Sequence, residues 1–556
     1  MDATSTARAL VTALTAHGVR DVVLAPGSRS APLAYALHDA ERSGWLRLHV
    51  RLDERGAGFV ALGLARATGR PVPVVTTSGT AVANLHPAVL EASHAGVPVV
   101  VLSADRPHEL RGTGANQTTD QVGLFGTAVR HAVDLPAGPA GGTALDQVVT
   151  RALAAARGLR SNDPGPVHLD VAFRDPLVPG GPWETGPAPA RRDVVAATGR
   201  PSGVPLLRGP RTVVVAGDGA GPAARSLAEQ ADWPLLAEPT SGARSGPAAI
   251  GPYRPLLGDP ELGGAVERVV VLGHPTLSRP VSALLARPDV EVVVVAPSGT
   301  WTDVAGTADR VAGAVILEES PDASAAEQDA AWLARWTLAA AAASTAIEDH
   351  LGRLGRLDGL ATAREVWSAR SVGALVVGSS NPVRDLDLAA GPVAGEPVPV
   401  LANRGLAGID GTIATATGVA LGLGLPVRVL LGDLTFLHDA GSLGRGILER
   451  DVDLQLVVLN DHGGGIFATL EHGAPQRAET FERLFGTPQD VDIAALAAAH
   501  RAEHRAVRSV EELRAALAAP VRGRSVVEVV VDRRDLRESR RRLADAVRQA
   551  ARAALG

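Results

Sequence analysis

The sequence predicts an α/β protein of doubly wound parallel sheets, and three observations carry that expectation. Short runs of Val and Leu recur, each closed by a turn signal, and segments of helical length separate them. The alternation is interrupted twice, so it falls into three stretches, 1–180, 205–325 and 350–556. Runs of this kind read as strands buried on both faces, which a helix-covered parallel sheet provides. A chain of 556 residues also exceeds what one hydrophobic core supports.

In the first stretch the runs 22–25, 46–50, 72–76 and 97–102 end at Pro26-Gly27, Asp53-Glu54, Ser78-Gly79-Thr80 and Ser103-Ala104-Asp105. Helices are expected over 57–67 and 81–92. Pro and Gly crowd residues 174–210, which reads as a linker. The middle stretch has strands near 212–215, 268–272 and 290–295, and its Gly217-Asp218-Gly219-Ala220-Gly221 is a weak dinucleotide-loop signal. An Ala-rich helix over 323–347 leads to the third stretch. There the runs 427–432 and 454–460 end at Asp433 and at Asp461, the latter followed by His462 and three glycines. The last 25 residues read as a charged helix with a solvated face.

Composition prunes the chemistry. Hydrophobic residues make up 46% and charged residues 21%, with net charge −6. No basic block tracks a phosphate backbone, so nucleic acid is not an expected partner. No run is long enough to span a bilayer, and the first residues lack a signal-peptide pattern, so the expected location is cytoplasmic. The chain has no Cys and no Lys. Thiolate metal sites, disulfides, Schiff-base chemistry and the P-loop lysine are excluded. Every cationic side chain is Arg, a planar fork suited to carboxylates.

Ligands of parallel sheets bind at the carboxyl ends of strands. Asp433 and Asp461 both lie there, beside glycines that allow close backbone approach, which suits a hard divalent cation on a phosphate group. Either acid alone is an ordinary turn residue. The segment Gly27-Ser28-Arg29-Ser30-Ala31-Pro32 is an anion site at a helix start, or a plain cap with Ser30 as N-cap. Glu54 complements a helix dipole, or shares a proton with a ligand nitrogen at the tip of an apolar helix. The hydroxyl-rich run 76–80 and Asn84 cap a helix, or present polar groups to a heterocycle. Asn116 and Gln117 lie in a long polar loop, and Ser380 sits at another strand end. Four arginines at strand ends, Arg29, Arg106, Arg384 and Arg404, point to a substrate with several carboxylates.

Gly432-Asp433 and Asn460-Asp461 resemble the diphosphate motif of thiamin-diphosphate enzymes, Gly-Asp-Gly followed within thirty residues by Asn-Asn, with Leu434 and Asp461 departing from it. Seven further segments, PGSRSAPL (from Pro26), DERGAGF (from Asp53), TSGTAVANLHPAV (from Thr77), SADRPHELRGTGANQT (from Ser103), NRGLAGIDGTIATA (from Asn403), GDLTFLHD (from Gly432) and GGGIF (from Gly463), resemble the menaquinone-pathway synthases of that family. The resemblance implies a pyrimidine-binding domain over 1–180, a central α/β domain over 205–325 and a diphosphate-binding domain over 350–556. It implies thiamin diphosphate and Mg²⁺ (or Mn²⁺) as cofactors, with the metal on Asp433, Asp461 and the Gly463 carbonyl. Thr80, Asn84, Gln117, Ser380, Ile409, Gly432, Leu434, Gly464, Ile466 and Phe467 would complete the cofactor site, with Ile409 as the apolar wedge and Glu54 on the aminopyrimidine ring. Ser28, Arg29, Arg106, Gln117, Arg279, Ser380, Arg384 and Arg404 would hold the substrates. Those substrates would be 2-oxoglutarate, which loses CO₂, and isochorismate, which receives the succinyl unit. The site would lie between subunits of a homodimer or homotetramer. His462 receives no role. Two alternatives remain open: another thiamin-diphosphate 2-oxoacid carboligase or decarboxylase, and a catalytically silent paralogue.

Overall fold

The computed structural model describes residues 2–138, 141–197, 203–395 and 397–556. Six strands form the first sheet: β1 (Asp21–Leu24), β2 (Arg47–Val50), β3 (Val72–Thr76), β4 (Val99–Asp105), β5 (His131–Leu135) and β6 (Val167–Ala172). Their order is β2-β1-β3-β4-β6-β5, and the pairings are parallel. β1, β3, β4 and β6 are buried throughout, as their Val-rich sequences require of strands covered on both faces.

The middle of the chain gives β7 (Gly203–Leu207), β8 (Thr212–Ala216), β9 (Leu235–Ala237), β10 (Arg268–Leu272), β11 (Glu291–Val295), β12 (Arg310–Ala312) and β13 (Ala314–Glu318). Five of these make a parallel sheet in the order β12-β11-β10-β8-β9, and β13 pairs separately with β7. β7 falls inside the stretch expected to be a linker, whose Pro205 sits in this short outlying pair. The last sheet contains β14 (Ala374–Val377), β15 (Val400–Leu401), β16 (Val427–Gly432), β17 (Leu454–Asn460), β18 (Glu503–Val507) and β19 (Arg524–Val530), ordered β15-β14-β16-β17-β19-β18. That is the strand order of the first sheet repeated. Among the described residues no helix is long and apolar enough to cross a membrane.

The Cα positions divide into two compact units. The first joins the N-terminal stretch to Gly405–Leu425 and His438–Leu454. The second holds the chain ending at Arg404, with Pro426–Leu437 and Gln455–Gly556. In the first unit the helix Glu54–Thr68 packs against the helix Thr412–Leu423. Both are buried on nearly every face over ten residues. Asp53 caps the first, accepting the N–H groups of Arg55 at 2.8 Å and Gly56 at 3.3 Å. Asp439 caps the second, its Oδ2 accepting Ile413 N–H at 2.7 Å and Ala414 N–H at 3.0 Å. The two backbones approach so closely that a Cβ on Gly63 would lie 2.0 Å from the Thr415 carbonyl oxygen, and one on Gly418 2.2 Å from that of Val60.

Three further details differ from the sequence reading. The helix expected over 81–92 is two pieces, Thr80–Ala83 and His86–His94, because Pro87 starts a new helix and cannot continue an old one. Ser30 stands at an N-cap position, yet its hydroxyl donates to the Gly27 carbonyl at 3.0 Å rather than capping. The C-terminal helix Leu536–Leu555 is not merely solvated. Leu543, Val547 and Ala551, spaced by four, are buried, and the helix packs against Ala325–Leu354.

Replacing Gly418 by Val forces a side chain onto the Val60 carbonyl, and overpacking of this kind costs about 1–3 kcal/mol. The variant is expected to lose about that much unfolding free energy, read as a lower midpoint in equilibrium denaturant unfolding.

Candidate active site

In an open parallel sheet the ligand crevice opens where the strand order reverses. In the last sheet that point lies between β14 and β16. The segments leaving β14, β15, β16 and β17 carry Ser380 and, on the helix Asn381–Ala389, Arg384, then Arg404, Asp433 and Asp461. Asp433 opens a helix and is 5% exposed; Asp461 is 8% exposed. Burial pushes both acids up, Asp461 to about 7, where the charge of Asp433 adds to the effect. Asp433 Oδ2 accepts the Gly463 N–H at 2.7 Å.

Of the three glycines after His462, two face backbone and the third faces the Asp461 carboxylate. A Cβ would lie 2.1 Å from the Gly486 oxygen at Gly463, 2.2 Å from the Phe485 oxygen at Gly464 and 2.0 Å from Asp461 Oδ2 at Gly465. Gly463 also takes φ +136°, outside the range of ordinary residues. Two buried carboxylates that repel one another, pressed against a glycine backbone, fit a hard divalent cation. His462 is exposed, and Asn460 is occupied structurally, bonding Glu528 through its amide at 2.7 Å and accepting the His462 N–H at 3.1 Å.

Ser380 adopts φ 74°, a conformation that residues other than Gly hold only where surroundings impose it. Its carbonyl accepts Arg384 at 2.8 Å. Burial, then the neighbouring charges of Arg404 and Arg254, disfavour the charged form of Arg384. Arg404 is 3% exposed; it reaches the Thr276 hydroxyl at 3.3 Å, and its Nε has no hydrogen-bond partner. Neither guanidinium forms an ion pair among the described residues. Arg384 lines a cavity of about 950 Å³ together with Asn381, Leu277, Ile466 and Leu470. Arg279 also lines it, but its guanidinium is engaged by Glu471 at 2.7 Å. Gly432 and Leu434 flank Asp433, and Phe467 packs edge-on to His472 and tilted against Phe485.

The first unit gathers the remaining expected residues. Its switch point lies between β1 and β3. There a Cβ on Gly27 would strike Thr77 at 2.3 Å, so the two loops touch. Ser28, Thr80, Asn84 and Gln117 are exposed. Glu54 is half-buried at the start of its helix, less enclosed than its apolar neighbours led one to expect, and Ile409 is half-buried too. Arg29 donates to the Phe173 carbonyl at 2.9 Å. Arg106 is 9% exposed, bonds the Ser78 hydroxyl, and is disfavoured as a cation by burial and by Arg29. Gln117, at φ 57°, is tied to the same serine, donating to its carbonyl at 3.0 Å and accepting its hydroxyl at 2.9 Å.

Two family profiles match the chain: "Thiamine pyrophosphate enzyme, N-terminal TPP binding domain" over residues 4–124 and "Thiamine pyrophosphate enzyme, C-terminal TPP binding domain" over 394–531. Among similar proteins, the 2-succinyl-5-enolpyruvyl-6-hydroxy-3-cyclohexene-1-carboxylate synthase of Kineococcus radiotolerans is 54% identical, over 98% of this chain and 99% of that one. The synthase of the same name from a Nocardioides species is 52% identical over 97% and 98%. That from an Arthrobacter species is 50% identical over 100% and 94%. The chain belongs to this synthase family. It is therefore a thiamin-diphosphate enzyme.

Beneath the Arg106–Gln117 segment of this family member lies a buried network that the sequence did not announce. Gln121 accepts the Gly79 N–H at 2.9 Å and donates to Asp170 at 2.8 Å. Asp170 also accepts the Ser103 hydroxyl at 2.6 Å, and Ser103 contacts His168 at 2.7 Å. Arg111 joins Asp105 at 2.8 Å to Asp134 at 2.7 Å. Burial, with Asp105 alongside, pushes Asp170 up to about 7, and burial pushes His168 down to about 4. Ser, His and Asp also make hydrolytic triads, but here the hydroxyl lies between the other two and is wholly buried, so the set is a scaffold. The available signal was His168 and Asp170 inside an apolar strand. Gln121→Leu leaves the Gly79 N–H and Asp170 each short of a partner, at about 1–3 kcal/mol per group. A lowered unfolding midpoint by differential scanning calorimetry is the expected result.

Proposed function

We propose that this protein is a cytoplasmic carboligase. It decarboxylates 2-oxoglutarate and adds the succinyl unit to isochorismate, giving 2-succinyl-5-enolpyruvyl-6-hydroxy-3-cyclohexene-1-carboxylate. The observation that carries the reading is one set of strand ends bearing both a two-carboxylate cation site, Asp433 and Asp461, and two arginines that form no ion pair among the described residues, Arg384 and Arg404. A 2-oxo diacid and a ring dicarboxylate both need such guanidinium forks.

Thiamin diphosphate, when bound, supplies a thiazolium ring that accepts the electron pair left behind when CO₂ departs. The chain's residues bind, orient and place charge. Asp433 and Asp461 through carboxylates, and Gly463 through its carbonyl, would hold Mg²⁺ or Mn²⁺ against the diphosphate, with Gly432, Leu434, Ser380, Gly464, Ile466 and Phe467 around them. Having Asp461 where relatives of the wider family carry Asn adds a negative charge that tightens the metal. Thr80, Asn84, Gln117 and Ile409 would serve the heterocycles, and Glu54 would share a proton with the aminopyrimidine ring. Arg384 and Arg404 would fix one acid substrate. Arg29 and Arg106, with Ser28 and Gln117, would fix the carboxylates of the other. Arg279 joins them only by exchanging its partner Glu471. On this reading residues 1–180 bind the pyrimidine, 205–325 form the central domain, and 350–556 bind the diphosphate.

A homodimer at least is part of the proposal. Leu52, Ile447 and Leu448 are 92%, 87% and 93% exposed. Glu449 accepts the Val50 N–H at 2.9 Å, which brings their two segments together beside Glu54. A second copy covering this apolar face would place Glu54 at the partner's diphosphate site; pairs of such dimers give the homotetramer.

Incubation with isochorismate, 2-oxoglutarate, thiamin diphosphate and Mg²⁺ is expected to yield a product with the mass of the two substrates less CO₂. Release of CO₂ without that product would favour a different carboligase. Glu54→Gln is expected to lower kcat by roughly 10²–10⁴-fold while thiamin diphosphate still binds by calorimetry. Near-normal turnover would remove the proton-sharing role.

A further inference from the structure

Glu238 follows β9 in the second unit and is 2% exposed. Its Oε1 accepts the Leu277 N–H at 2.9 Å, and its Oε2 has no hydrogen-bond partner. The residue before Leu277 is Thr276, whose hydroxyl meets Arg404 at 3.3 Å. Glu238 and Arg404 thus grip one dipeptide from two directions. That dipeptide leads into Ser278 and Arg279, which line the cavity with Arg384.

The charges facing Glu238 come from several elements. Asp387, on the helix Asn381–Ala389, lies in its field, but that carboxylate is held by Arg254 at 2.8 Å and Arg244 at 3.2 Å. Arg404, following β15, and Asp218, following β8, act on it as well. The field of Glu238 in turn reaches Arg384 and the buried Tyr253 hydroxyl, which burial holds well above its ordinary value. Burial is the largest influence on Glu238 itself and pushes it up to about 8, against the Leu277 N–H hydrogen bond and the smaller pull of Arg404.

We propose that Glu238 is a positioning residue held as the neutral acid, which leaves the Arg384–Arg404 pair unneutralised for substrate carboxylates and ionises only in competition with them. This rests on the reading that those arginines bind the 2-oxo diacid. The sign follows from linkage. Below about pH 8 the acid carries its proton and the guanidinium pair faces the ligand uncompensated. Above it the Glu238 anion occupies the field of Arg404 and repels the incoming carboxylate. Ligand binding near that pH must therefore take up a proton.

The test uses the metal- and cofactor-loaded enzyme. KM for 2-oxoglutarate is expected to rise about fivefold or more between pH 7 and 9, with a smaller change in kcat. Glu238→Gln keeps an oxygen for the Leu277 N–H and is expected to make KM flat over that range. Calorimetry of the unaltered protein in buffers of different ionisation enthalpy is expected to show proton uptake on binding near pH 8, a readout that needs no variant. A pH-independent KM, absence of proton uptake, or a KM slope that persists in Glu238→Gln would each overturn the proposal. Failure to bind 2-oxoglutarate at any pH would instead overturn the substrate reading on which it rests.

Discussion

Where two neighbouring strands of a parallel sheet send their connections in opposite directions, the space between the loops must be filled by backbone, side chain or ligand. The three larger sheets of this chain each have one such point. In the middle sheet the chain fills it. A Cβ on Gly217 would lie 2.1 Å from the Pro275 nitrogen, and Asp218 and His274 pair through their backbones. The loop after β8 therefore packs against the loop after β10 at Gly217, whereas Gly219 and Gly221 meet open space and answer to their positive φ values of 73° and 70°. In the first and last sheets the loops meet but remain polar outward, and there the functional candidates collect.

A common electrostatic pattern marks both places. Arg29 acts on Arg106, Arg404 on Arg384, and Asp433 on Asp461, in each case disfavouring the charge of the other. Like charges set together in a poorly solvated site raise the free energy of the folded chain. Folding alone gives no reason to keep three such pairs, whereas binding opposite charge does. The cation pairs call for anions and the anion pair for a metal, which is the charge composition of a metal diphosphate and two acid substrates.

Much of this was legible in the sequence because the decisive residues sit at strand ends. A Val/Leu run followed by an acid or an arginine gives both the element and the position of the side chain, as at Asp433, Asp461 and Arg106. The burial of the Thr412–Leu423 helix was not legible, since a helix apolar on most faces has no periodic stripe and its cap, Asp439, lies far along the chain. Nor were the supports of the site. Gln121 finds Asp170, and Glu238 finds Leu277, across separations of 49 and 39 residues. Local pattern carries no information about such partners. The strained φ values of Ser380 and Gln117 were equally silent, because neither residue is glycine.

The lack of lysine gives these supports their importance. Arginine keeps its charge in protein interiors, even where burial is complete. Arg428 shows this limit. Wholly buried and met, among the described residues, by neutral acceptors alone, Gln455 at 2.7 Å and the carbonyls of Ala369 and Leu517 at 2.6 and 2.8 Å, it is pushed down only to about 10. The cationic half of the site is therefore fixed near neutral pH. Any adjustment of its field must come from groups that can gain or lose a proton there, and burial has moved Asp170, Glu238 and Asp461 into that range, at about 7, 8 and 7. Of these, Asp461 faces the proposed metal and Asp170 braces the first-unit loop, while Glu238 stands beside Arg404. An all-arginine chain thus leaves the tuning of its anion sites to its acids.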